Sequence, residues 1–244
     1  LGPLIHNPQV VADLQSRGAL TCDTVEEVPD GCEVVIRSHG VPETVYEKIS
    51  TRGLAFHDAT CPFVAKIHKI AAEAGKNGAV LLVAGDRTHP EVEGIVGHAT
   101  GPVVVFSGLE ELKAWAAQEK PQKSIYVVAQ TTFRVESWEE CKAFLKKWCT
   151  NPKIFDTICN ATWARQQEAE DLSQKCDRMV VIGGHHSSNT QKLLQVAAKH
   201  CDAVSIETAA ELDRNWLKGA KVVGVTAGAS TPSSIIEEVL NCMS

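Results

Sequence analysis

At 244 residues, 44% of them hydrophobic, the chain is long enough to bury a sizeable core, in one large domain or in two to three small ones. A formal net charge of −6 with no basic run excludes a nucleic-acid-binding surface. No apolar run approaches the roughly 18 residues that a membrane helix needs, and no secretory signal pattern stands at Leu1. The nine cysteines lack both the tight spacing of a secreted disulfide scaffold and any Cys-x-x-Cys pair, which predicts a reducing cytoplasm and no zinc finger.

The first predicted elements are a loop through Gly2-Pro3-Leu4-Ile5-His6-Asn7-Pro8, a helix from Gln9 to Ser16 and a strand from Ala19 to Cys22. Val34-Val35-Ile36-Arg37 reads as a short strand ending at Ser38-His39-Gly40, with a helix from Glu43 to Thr51 stopped by Gly53. Leu54-Ala55-Phe56 then enters the stretch His57-Asp58-Ala59-Thr60-Cys61-Pro62. Proline is favoured at a first helical position, so Pro62 predicts a helix capped by Cys61. A thiol at such a cap faces unpaired backbone N–H groups and the positive end of the helix dipole, which favour the thiolate that binds metals.

Ala79 to Ala84 is a continuous apolar run of the kind found in buried parallel strands, and it ends at Gly85-Asp86-Arg87-Thr88-His89-Pro90-Glu91. Val103–Phe106 is a strand, Leu109 to Gln118 a helix, and Ser124 to Ala129 a strand ending at Gln130-Thr131-Thr132. The next helix carries Trp138, Cys141, Phe144, Leu145 and Trp148 on its apolar face, with Cys141 as core filler. Asp156-Thr157-Ile158-Cys159 repeats the Cys61 arrangement ahead of a helix from Trp163 to Lys175. Met179 to Ile182 is a strand that runs into Gly183-Gly184-His185-His186-Ser187-Ser188-Asn189, followed by a helix to His200. Strands at Ala203 to Ile206 and Val222 to Val225, the latter ending at Gly228-Ala229-Ser230, and a helix from Ser233 to Cys242 complete the chain.

Alternating strands and helices predict an α/β protein with parallel sheets. The unit recurs about three times, giving expected domains over 1–61, 62–155 and 156–244, the first incomplete at its N-terminus. Ligands of open parallel sheets bind beyond the carboxyl ends of the strands. Three such sheets, arranged with pseudo-three-fold symmetry, would bring His39, His89, Glu91, Thr131, Ser187, Ser188, Asn189 and Ser230 to one central cavity. The Gly183-Gly184 turn with its serines suits an anion at a helix start, although serine caps are common without one. His6, His39 and His89 can donate to phosphate oxygens, and Glu91 is the acidic side chain placed to carry a proton, with Thr131 as relay or strand cap. Thiols at Cys61 and Cys159 beside such groups fit an iron–sulfur cluster, which cysteines from separate parts of a chain can hold.

In these motifs the chain resembles the 4-hydroxy-3-methylbut-2-enyl diphosphate reductase family of the non-mevalonate isoprenoid pathway. The matching pieces are Leu4-Ile5-His6-Asn7, Ser38-His39-Gly40-Val41, Asp58-Ala59-Thr60-Cys61-Pro62, His89-Pro90-Glu91-Val92-Glu93-Gly94, Gln130-Thr131-Thr132, Ile158-Cys159, Ser187-Ser188-Asn189-Thr190 and Gly224 to Pro232, in family order. The resemblance implies three α/β domains around a [4Fe-4S] cluster with Cys61 and Cys159 among its ligands, and it places the third cysteine ligand N-terminal to Leu1. It implies diphosphate binding by His6, His39, His89, Thr131, Ser187, Ser188, Asn189 and Ser230, and catalysis by Glu91, Thr131 and His89. The implied reaction is reductive dehydroxylation of an allylic diphosphate, with electrons from a ferredoxin or flavodoxin. His185-His186 departs from the Lys-Asn expected there, and Cys22 or Cys32 could substitute as the third ligand, though neither sits in a matching context. The alternative reading is a cluster-free diphosphate-binding module without redox activity.

Overall fold

The computed structural model describes residues 1–119 and 124–243. Its first elements are α1 (Pro8–Ser16), β1 (Val34–Ile36), α2 (Glu43–Thr51), β2 (Phe56–Asp58), α3 (Pro62–Lys76), β3 (Val80–Ala84), α4 (Pro90–Gly97), β4 (Val103–Phe106), α5 (Leu109–Ala116) and β5 (Ile125–Ala129). They continue with α6 (Val135–Trp148), β6 (Lys153–Ile154), α7 (Asn160–Ser173), β7 (Arg178–Ile182), α8 (Ser188–Ala197), β8 (Asp202–Ile206), α9 (Arg214–Leu217), β9 (Val223–Ala227) and α10 (Ser233–Met243). Among the described residues the strands form three sheets, β1-β2, β4-β3-β5-β6 and β8-β7-β9, and every pairing is parallel. The α/β class and the recurrence of one parallel motif are therefore as the sequence predicts. The chain divides into two compact units, one of Leu1–Leu4 with Leu20–Cys159 and one of Ile5–Ala19 with Asn160–Ser244.

In the first unit the four-stranded sheet is covered on both faces, and strand alternation decides which residue goes where. Leu82, Ala84, Ile125, Val127 and Ala129 pack with Leu112 of α5 and with Trp138, Cys141 and Leu145 of α6. Their neighbours Leu81, Val83, Tyr126 and Val128 face Ile67, Ile70, Ala71 and Ala74 of α3 and Val92 and Ile95 of α4. Full coverage explains why β3 and β5 read as unbroken apolar runs. Cys141 is core filler as expected, and burial pushes its thiol up to about 11. Tyr126 buries a polar tip in this core, and its hydroxyl donates to Glu73 Oε1 at 3.0 Å and accepts from Lys153 Nζ at 2.7 Å. The β1-β2 sheet is smaller. Val34 and Ile36 pack with Ile49 of α2, while Val35 on the other face stays exposed.

In the second unit β7 is likewise sandwiched. Val180 and Ile182 face Ile235 and Val239 of α10, and Met179 and Val181 face Ala169 of α7 and Leu193, Val196 and Ala197 of α8.

Several elements differ from the sequence reading. Ala19 to Cys22 is not a strand: Leu20 is 67% exposed, and the backbone bonds there, from Gly2 N–H to Cys22 O and from Ala19 N–H to Leu14 O, form no ladder. The stretch after His89 is a helix, α4, rather than loop. Its two glycines and its brevity hide it, yet Pro90 at N1 and the His89 cap make it a regular helix start. Helix α7 begins directly after Cys159, three residues earlier than predicted, and α8 already at Ser188.

Candidate functional site

Register builds the core of the site in the first unit. Strand β3 pairs with β5 so that Ala84 lies beside Ala129, and the chains leaving both strands emerge side by side. Gln130 clamps them, its N–H donating to Ala84 O at 2.8 Å and its Oε1 accepting from Asp86 N–H at 3.1 Å. One exit leads to His89 and Glu91 at the start of α4, and the other to Thr131. Thr131 N–H donates to Glu91 Oε1 at 2.6 Å and Thr131 Oγ1 donates to Glu91 Oε2 at 2.7 Å.

Glu91 is 2% exposed, and burial is the largest influence on its carboxyl, raising it from 4.5 to about 7 against the pull of the two Thr131 bonds. The opening turn of α4 also favours the anion, and burial still wins. The result is an acid that holds its proton near neutral pH, next to a hydroxyl that can accept it and pass one on. His89 caps α4 by accepting Glu91 N–H at Nδ1 over 3.1 Å, so its own proton lies on Nε2, which leaves a neutral donor. His39, beyond β1, meets the His89 ring edge to face with centroids 5.3 Å apart.

Cys61 caps α3 with Pro62 at N1, as the sequence predicts, and its side chain makes no capping bond to the helix. Its N–H donates to Ser38 O at 2.9 Å, fixing the cysteine to the loop that carries His39. Cys159 is fixed in the same manner, its N–H donating to Thr131 O at 3.1 Å. Upstream, Thr157 Oγ1 accepts from Ala129 N–H at 2.8 Å and donates to Ala129 O at 2.7 Å, pinning the Cys159 segment to the end of β5. Thr131 thus holds the Glu91 carboxyl with its N–H and hydroxyl, and the half-buried Cys159 segment with its carbonyl. None of the nine cysteines is in a disulfide.

In the second unit, Ile182 of β7 pairs with Ala227 of β9, and the loops beyond both strands meet. Gly228 N–H and Thr231 Oγ1 both donate to Ile182 O, at 2.8 and 3.0 Å. Gly183 has φ +153° and a Cβ there would overlap Thr190 Oγ1, so only glycine fits. Ser187 caps α8, accepting Thr190 N–H. Asn189 is 4% exposed with neither its amide nitrogen nor its oxygen partnered among the described residues. Such a group costs about 1–3 kcal/mol unless a ligand satisfies it. His6 belongs to this unit, its Nδ1 3.2 Å from His186 O. His185 pairs with Glu211 Oε2 at 2.9 Å and its N–H donates to Glu207 Oε1 at 2.6 Å, so carboxylates flank the turn where the sequence departs from its family pattern.

The family model described as "LytB protein" matches residues 1–244. The chain belongs to the LytB protein family. A relative from Clostridioides difficile (strain 630), named 4-hydroxy-3-methylbut-2-enyl diphosphate reductase, is 42% identical over 240 residues, covering 98% of this chain and 85% of its own. One of the same name from Citrifermentans bemidjiense is 43% identical over 245 residues, covering 100% and 85%. Among solved structures, an (E)-4-hydroxy-3-methyl-but-2-enyl diphosphate reductase described as the terminal enzyme of the non-mevalonate pathway is 37% identical, covering 100% of this chain and 86% of its own, with TM-score 0.67. The Plasmodium falciparum E-1-hydroxy-2-methyl-but-2-enyl-4-diphosphate reductase is 26% identical, covering 98% and 76%, with TM-score 0.92.

For this LytB-family chain, the structure brings Glu91, Thr131 and His89 together, and gathers the Ser187–Asn189 and Gly228–Ser230 loops at one sheet end. Sequence reasoning gave no role to Gln130, Thr157 or His68. The first two stood inside quoted motifs, and a polar side chain next to each functional residue was the available signal. The donor set fits an iron–sulfur group: Cys61 and Cys159 offer soft sulfur at helix starts, held by their backbones, with the Cys61 side chain not spent on capping. No helix among the described residues is long and apolar enough to cross a membrane.

Thr131→Val keeps shape and burial but removes the hydroxyl bond that favours the Glu91 carboxylate. The Glu91 carboxyl should therefore rise further, moving the alkaline limb of the rate–pH profile upward, while loss of the relay lowers kcat by about tenfold or more. An unshifted limb would show that Thr131 does not set the Glu91 proton.

Proposed function

We propose that this protein is an iron–sulfur oxidoreductase that converts (E)-4-hydroxy-3-methylbut-2-enyl diphosphate into isopentenyl and dimethylallyl diphosphate. In the net reaction an allylic C–O bond is lost and a C–H bond gained. Two electrons and two protons are consumed, and the hydroxyl leaves as water. The observation that carries the reading is the buried Glu91–Thr131 pair. A hydroxyl leaves poorly unless it is protonated, and Glu91 keeps its proton to about pH 7 where an ordinary carboxylic acid has lost it.

The protein's own groups divide the work. When Glu91 carries its proton at Oε2, the Thr131 hydroxyl turns to accept it and passes its own proton on, while Thr131 N–H keeps Oε1 fixed through the transfer. His89 offers one neutral N–H, from Nε2, to a phosphate or hydroxyl oxygen. His39 and His89 in their unit, and His6, Ser187, Ser188, Asn189 and Ser230 in theirs, are the proposed diphosphate ligands. The unpartnered Asn189 amide supports this assignment. Cys61 and Cys159 are the proposed cluster ligands. When bound, a [4Fe-4S] cluster would supply the electrons and a Lewis-acidic iron. The electron donor is proposed to be a ferredoxin or flavodoxin, and the compartment a reducing cytoplasm.

The test is anaerobic purification, iron and sulfide assay, and turnover of the allylic diphosphate with a dithionite-reduced mediator. Release of both alkenyl diphosphates from an iron-containing protein is expected. An iron-free preparation that binds diphosphate and turns nothing over would overturn the reading in favour of a plain diphosphate-binding module.

A further inference from the structure

Helix α3 carries a second unusual residue, His68, seven positions after Cys61. It is 6% exposed, and its Nε2 is buried with no partner among the described residues. Burial, with His98 adding to it, pushes the ring down to about 4, so it is neutral. An unpaired buried nitrogen costs about 1–3 kcal/mol, which an aliphatic side chain of similar volume would avoid. A histidine kept here needs another reason, and the ring's surroundings provide one.

The ring lies between the His39–Gly40 loop and the α4 helix. A Cβ on Gly40 would overlap His68 Cε1 and stand 3.1 Å from Nε2, and Gly40 follows His39 directly with φ +71°. A Cβ on Gly94 would stand 3.2 Å from His68 Nε2 and 3.5 Å from His39 O, and Gly94 lies on α4 one turn beyond Glu91. On one face His98, the C-cap of α4, stacks with centroids 4.0 Å apart and planes at 24°. His98 is itself held by Val41 O at 3.0 Å and Glu43 Oε2 at 3.1 Å. A five-membered ring is flat and short enough for a slot between two glycines. Phenylalanine is too long and leucine is not flat.

We propose that His68 is a positioning residue, its ring the spacer that sets the His39–Gly40 loop against the α4 helix carrying Glu91. The inference rests on His39 being a diphosphate ligand. Because α3 also presents Cys61, one rigid helix would then place a thiol at its start and fix the spacing between diphosphate donor and proton carrier two turns later.

The test is titration of the anaerobic holoenzyme with inorganic diphosphate, using Gly94→Ala, His68→Ala, the double variant and His39→Ala as a control. Gly94→Ala improves helix propensity, so its melting temperature should hold or rise. Its added methyl crowds His68 and meets the His39 carbonyl only at ordinary van der Waals distance, so the push runs through the His68 ring and diphosphate should bind about fivefold or more weakly. His68→Ala should weaken binding about tenfold, and KM should rise more than kcat falls. In the double variant the methyl enters vacated space, so its loss should be no greater than that of His68→Ala alone. Losses that multiply, or single variants that bind like the parent while His39→Ala does not, would overturn the spacer role. Unchanged binding by His39→Ala would instead overturn the His39 assignment beneath it. Should His68→Ala fail to fold, Gly94→Ala decides alone, since weaker binding at undiminished stability has no purely structural explanation.

Discussion

Glu91→Gln is expected to lower turnover by roughly 10²–10⁴-fold, while inorganic diphosphate binds within about twofold of the parent because only the proton is lost. Glutamine keeps an oxygen to accept Thr131 N–H and an amide that can donate to Thr131 Oγ1, so local geometry survives. The same variant should be the more stable protein in mild alkali. The Glu91 carboxyl sits at about 7 in the folded chain against an ordinary 4.5. Its stabilising contribution is therefore fully present below about pH 4.5, falls as pH rises towards 7 and is gone above. That gap corresponds to about 3 kcal/mol, as an order of magnitude. Thermal unfolding of the two proteins at pH 5 and pH 8 checks the sign: the melting temperature of the variant should overtake that of the parent only at the higher pH. Undiminished turnover would remove Glu91 from the chemistry, and a stability difference independent of pH would show that its carboxyl is not displaced.

Cys61→Ser and Cys159→Ser are each expected to leave a folded protein with most of its iron and sulfide lost. Both cysteines are anchored through their N–H groups, to Ser38 O and Thr131 O, and serine preserves those bonds. An alcohol does not become an anion at neutral pH as a thiol can, so the soft ligand disappears without a large packing cost. Cys22→Ser serves as the control. Its thiol donates only weakly to Glu27 O at 3.7 Å, and its iron content should match the parent. Full iron and sulfide in both ligand variants would exclude the assignment.

The parts of this arrangement legible in the sequence are those where a local rule and a chemical need coincide. Pro62 announced a helix, and Cys61 ahead of it was thereby a cap. The apolar runs of β3 and β5 marked strands buried on both faces, and their polar exits marked the site. What stayed hidden depends on tertiary contact. The Pro90–Gly97 helix was obscured by Gly94 and Gly97, and Gly94 is small because His68 lies against it, which no local pattern reveals. His68 itself looked like an ordinary apolar-face residue of α3. Ala19 to Cys22 misled in the opposite direction, being apolar enough for a strand but lying beside no other. The four-residue α9 and the two-residue β6 are too short for periodicity to register.

The pairing of Ala84 with Ala129 has a wider consequence. The distance between carboxyl and hydroxyl is metered by the hydrogen-bonded lattice behind them, like two marks on a pair of rulers laid edge to edge. Sliding one ruler by a single notch would carry Thr131 roughly 3.3 Å along and turn its side chain to the opposite face. Neither strand can therefore be lengthened by one residue without disconnecting the acid from its relay.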